Sequence, residues 1–103
     1  MTTVKSASAH DTSVWLEQDA ALLIDVREAD EFAKESINGA VLNALSAFDA
    51  SALPQDKRIV VHCLGGKRGA MAANQLVELG FEDVHNLEGG LMAWKKAGLA
   101  TVI

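Results

Sequence analysis

Residues 58–69 read Arg58-Ile59-Val60-Val61-His62-Cys63-Leu64-Gly65-Gly66-Lys67-Arg68-Gly69. Arg58 to His62 is a short apolar run rich in β-branched side chains, the pattern of a strand buried on both faces. A glycine-rich turn follows, and a helical pattern opens at Arg68. Upstream, Ala21 to Val26 (ALLIDV) is a second such run. Asp83 to Leu87 gives a weaker third, and Gly39 to Leu42 a fourth. Between the strands lie helical stretches. Glu28 to Glu35 is charged, with Phe32 expected to anchor inward. Arg68 to Leu79 places Met71, Leu76 and Leu79 on one stripe and stops at Gly80. Gly90 to Ala97 carries Leu91 and Trp94 before Gly98. A first helix through Val14, Trp15 and Leu16 is expected to be capped by Asp11 or Thr12. Strands alternating with helices predict an α/β fold: a central, mostly parallel sheet flanked by helices on both faces.

The chain has 103 residues, no internal repeat and a single proline, which suits one domain over residues 1–103. Its formal net charge is -5, which argues against a general nucleic-acid binder. One cysteine excludes an intramolecular disulfide and a cysteine-rich zinc site. His10 and His85 show no metal-ligand grouping, so no metal is expected. Met1 to His10 has no apolar core of a secretory signal, and the longest apolar run is far below a membrane span. The expectation is a cytoplasmic monomer without a membrane partner.

In parallel sheets, ligands bind beyond the carboxyl ends of strands. Here that place is Cys63 and the loop after it. Gly65, Gly66 and Gly69 let the backbone curl with N–H groups turned inward. The helix start adds unpaired N–H groups and its positive dipole end, and Lys67 and Arg68 add two charges. Each favours thiolate over thiol, and a free cysteine of pKa roughly 8.5 becomes a nucleophile as that balance shifts. The alternative is a strand-end filler, since free cysteine is among the most buried residue types. Position, glycines and cations together favour the nucleophile.

At these residues the sequence resembles the single-domain rhodanese family. Three blocks carry the resemblance, in order. They are Leu23-Ile24-Asp25-Val26-Arg27-Glu28 with Glu31-Phe32 and Ile37-Asn38-Gly39-Ala40; the Cys63 to Arg68 loop; and Leu87-Glu88-Gly89-Gly90-Leu91 with Ala93-Trp94 and Ala97-Gly98-Leu99. The resemblance implies a three-layer α/β sandwich and a sulfurtransferase that needs no cofactor. Cys63 would take sulfane sulfur from a small anionic donor such as thiosulfate, hold it as a persulfide, and pass it to cyanide, a thiol or a sulfur-accepting protein. Backbone N–H groups from Leu64, Gly65, Gly66, Lys67 and Arg68 would hold the persulfide. Lys67 and Arg68 would orient the donor, with Arg68 also bracing the loop. Leu64 stands where the family often has arginine, and Ser36 and Asn38 where histidine and proline are frequent.

Asp25 and Arg27 either line the pocket or fix the loops through a buried polar network, and the second reading is favoured. Strand alternation points His62 away from Cys63. Trp15 and Trp94 read as core anchors, and Glu88 as a residue that caps or positions a helix. Two rivals remain. A cysteine phosphatase or arsenate reductase resembles this loop but usually has five residues between Cys and Arg, whereas four lie between Cys63 and Arg68. A non-catalytic rhodanese-like binding module is the other.

Overall fold

The computed structural model describes residues 2–103. Five strands form one sheet: β1 (Lys5–Ala7), β2 (Leu22–Asp25), β3 (Val41–Leu42), β4 (Ile59–His62) and β5 (Val84–Leu87). Their order across the sheet is β1-β5-β4-β2-β3, and every pairing between them is parallel. An isolated antiparallel bridge joins Ser36 to Val102. Four helices connect or follow the strands: α1 (Ala9–Glu17), α2 (Ala29–Lys34), α3 (Lys67–Glu78) and α4 (Gly90–Lys96). Two 3₁₀ turns, Leu45–Ala47 and Ala50–Ala52, lie between β3 and β4. No helix among the described residues is long and apolar enough to cross a membrane.

Alternation along the central strands splits the core into two. Ile24, Ile59, Val61 and Val84 pack with Ala72, Ala73 and Leu76 of α3. Leu23, Val60 and Leu87 pack on the other face with Ala9 of α1 and Leu91 and Trp94 of α4. The sandwich therefore has the three layers expected, and β4, buried at all four residues, lies at its centre.

Several local expectations are corrected. Ser8, not Asp11 or Thr12, caps α1: its side chain accepts the Asp11 N–H at 3.0 Å, and Thr12 is already inside the helix. Strand β1 was not expected. On α3, Met71 and Leu79 are exposed, and the buried face is Gly69, Ala72, Ala73 and Leu76. Phe32 is only half-buried. Trp94 is buried, whereas Trp15 is half-buried between Arg58, 4.3 Å from its ring centroid, and His85, in an edge contact at 5.0 Å. Glu88 is exposed, and the cap of α4 is Gly89.

Candidate active site

Cys63 follows directly on β4, and Gly66 is the N-cap of α3. The turn between them closes because Gly66 adopts φ +112°, a left-handed conformation that costs little only in glycine. That turn brings the Gly66 N–H to 3.0 Å from the Cys63 sulfur. The cysteine is 2% exposed, so the thiol sits at the floor of the loop. Of the N–H groups from Leu64 to Arg68, Gly66's is the one that hydrogen-bonds the sulfur.

The loop carbonyls turn the other way, onto α4. Leu91 N–H donates to the Cys63 carbonyl at 2.8 Å, and Met92 N–H donates to the Leu64 carbonyl at 3.1 Å. These are first-turn donors of α4, which have no acceptor within their own helix. The approach leaves no room for a side chain at Gly90. A Cβ there would lie 2.5 Å from the Cys63 oxygen and 2.6 Å from the Leu64 oxygen. Gly90 was not singled out as a site residue beforehand, although the Gly89-Gly90 pair marked the place.

The two cations behave differently. Arg68 makes a bidentate pair with Glu31 of α2, at 2.7 and 3.0 Å. The bond from Arg68 draws the Glu31 carboxyl down to about 2. Arg68 thus ties the start of α3 to α2. Lys67 is exposed and has no ion-pair partner among the described residues. Leu64 is 44% exposed and Met92 62%, so the rim of the loop carries apolar side chains.

Asp25 and Arg27 are buried at the carboxyl end of β2 and bond each other, not the cysteine sulfur. The Arg27 guanidinium donates to both Asp25 oxygens at 2.7 to 3.1 Å and to the Glu35 carbonyl at 2.7 Å. His62 is fully buried beside this pair, with Nε2 3.5 Å from Asp25 and Nδ1 3.2 Å from the Cys63 carbonyl oxygen. Burial pushes the His62 imidazole below its usual range, and the Asp25 carboxylate opposes that only in part. The ring is therefore neutral, and a network lies under the loop instead of lining it. A separate concavity of about 420 Å³ opens at the amino ends of the strands, lined in part by Asp19, Asp56, Arg58 and Asp83. The cysteine loop takes no part in it.

Comparison with known proteins agrees with this fold. A family model, the rhodanese-like domain, matches residues 8–97. An uncharacterized protein of Synechocystis is 47% identical over 88 residues, covering 84% of this chain. The chain spans only 49% of that relative's length. The thiosulfate sulfurtransferase GlpE of Pseudoalteromonas translucida is 33% identical, covering 90% of each chain. A rhodanese-related protein of Thermoplasma volcanium superposes with a TM-score of 0.86 at 30% identity, covering 95% of this chain and 97% of its own. With a family model over residues 8–97 and the fold of this solved relative, the chain belongs to the rhodanese-like domain family.

Proposed function

We propose that this protein is a sulfurtransferase working through a Cys63 persulfide. The observation that carries the reading is the Gly66 N–H, 3.0 Å from a cysteine sulfur held at the foot of a helix. A backbone donor fixed there stabilises negative charge on sulfur without reorganising during reaction. In the first step the Cys63 thiolate attacks the outer sulfur of thiosulfate. The S–S bond of the donor breaks, and its electron pair leaves with sulfite. In the second step the acceptor attacks the outer sulfur of the persulfide and the Cys63 thiolate is released. Cyanide then becomes thiocyanate, and a thiol becomes a persulfide. Two half-reactions on one residue predict ping-pong kinetics.

The short loop supports sulfur over phosphate: four residues separate Cys63 from Arg68, and the guanidinium is engaged by Glu31. A protein-borne thiol is the acceptor favoured by the apolar rim of exposed Leu64 and Met92.

Intact mass after incubation with thiosulfate tests the reading. The expected result is a gain of one sulfur atom that reductant removes and Cys63→Ser abolishes. Absence of the adduct, together with turnover of an aryl phosphate, would overturn it.

A further inference from the structure

Gly66 caps α3 without a side chain to hold its own turn. Its conformation nevertheless sets the bond to the Cys63 sulfur. The Gly66 carbonyl accepts two bonds, from the Ala70 N–H at 3.0 Å and from the Asn86 side-chain amide at 3.0 Å. The first belongs to α3 itself. The second comes from β5, so it fixes the cap against the sheet. Asn86 is two residues beyond Val84, which packs against α3, so strand alternation carries its side chain to the same face.

Two further observations single out Asn86. Its Oδ1 is buried and has no hydrogen-bond partner among the described residues. An apolar side chain would avoid that penalty, so core packing does not explain an amide here. A Cβ on Gly69, one turn into α3, would collide with that same oxygen. The missing side chain at 69 is what gives Asn86 its path to Gly66.

From these contacts we propose that Asn86 is a positioning residue for the nucleophile. It holds the Gly66 carbonyl, and through the two torsions of Gly66 it holds the N–H on the Cys63 sulfur. It touches no reacting atom. The inference rests on Cys63 being the nucleophile, but it does not depend on which donor is used.

Cys63 alkylation by iodoacetamide, followed against pH, tests it. Asn86→Ala should slow alkylation at pH 7 by roughly three- to tenfold, the size of one net hydrogen bond, and move the curve to higher pH. Asn86→Asp keeps the shape, loses the donor and should do the same. The double variant Gly69→Ala/Asn86→Ala fills the vacated space with a methyl group. It should melt like the wild type yet keep the displaced alkylation curve. A structural role would instead be repaired by that methyl group, and a wild-type curve in the double variant, or in a folded Asn86→Asp, overturns the proposal. Thiosulfate loading measured alongside separates the two readings. If the wild type gains no sulfur, the sulfurtransferase reading fails, while the alkylation curves still decide the role of Asn86.

Discussion

Arg68 and Glu31 meet fork to fork, Nη1 donating to Oε1 at 2.7 Å and Nη2 to Oε2 at 3.0 Å. The pair joins α3 to α2. Each side chain is about one third exposed, so solvent screens the attraction.

Glu31→Gln should therefore lower stability modestly, by about 0.5–1 kcal/mol. The gap should depend on pH. The Glu31 carboxyl is held at about 2 in the fold against a reference of 4.5. Its stabilisation is full above 4.5 and is lost as the pH falls from there through 2. Denaturant titrations at pH 7 and near pH 2.5 check this, and an equal gap at both would remove the pair from the account.

Lys67, four residues after Cys63, is exposed and has no ion-pair partner among the described residues. Lys67→Ala should reduce kcat/KM for thiosulfate by roughly three- to tenfold, and the loss should shrink at high salt. Exposed Leu64 has room for a second cation, so Leu64→Arg should raise kcat/KM for the same donor. Steady-state kinetics at two ionic strengths decide both. No change in either variant would detach donor recognition from local charge.

Gly90→Ala places a methyl group on the Cys63 and Leu64 carbonyls, at a residue whose φ is +60°. Overpacking plus backbone strain should cost about 2–4 kcal/mol, and the loop should lose its N–H donors from α4. A melting curve shows the first effect. Slower persulfide formation in the folded fraction shows the second. A variant with wild-type melting would mean that α4 can withdraw freely.

His62 predicts a slope on the acid side of neutrality. The buried ring resists protonation in the fold, whereas the unfolded chain takes up the proton below about 6.5. Folded-state affinity for the proton is depressed, so stability is greatest above 6.5 and falls as the pH drops below it. The limiting slope is about 1.4 kcal/mol per pH unit. His62→Gln should be less stable at pH 7 but show a flatter line between pH 7 and 5. Parallel lines would place the titration elsewhere.

The layers and the cysteine were legible in the sequence because buried strands write continuous apolar runs. Ile59 to His62 is such a run, and it delivers Cys63 directly. Strand β1 was not legible: Lys5 and Ser6 are exposed, and only Ala7 contributes to the core. The stripe on α3 misled because large residues drew attention. The helix approaches the sheet on Gly69, Ala72 and Ala73, and Met71 and Leu79 face outward. Asn86 looked like a polar residue on a weak strand. Its partner Gly66 is twenty residues earlier, a distance that no local pattern reports. The bracing role of Arg68 was legible, but its partner Glu31 was hidden for the same reason, because it stands thirty-seven residues earlier on what reads as a charged helix face.

The amides of Leu91 and Met92 that hold the carbonyls of Cys63 and Leu64 also bear on the order of synthesis. During synthesis Cys63 is joined to the chain before any residue of α4. Until α4 follows, the two loop carbonyls lack their donors. The nucleophile is thus made before the donors that complete its loop, and a chain stopped short of α4 would carry Cys63 on an unfastened turn.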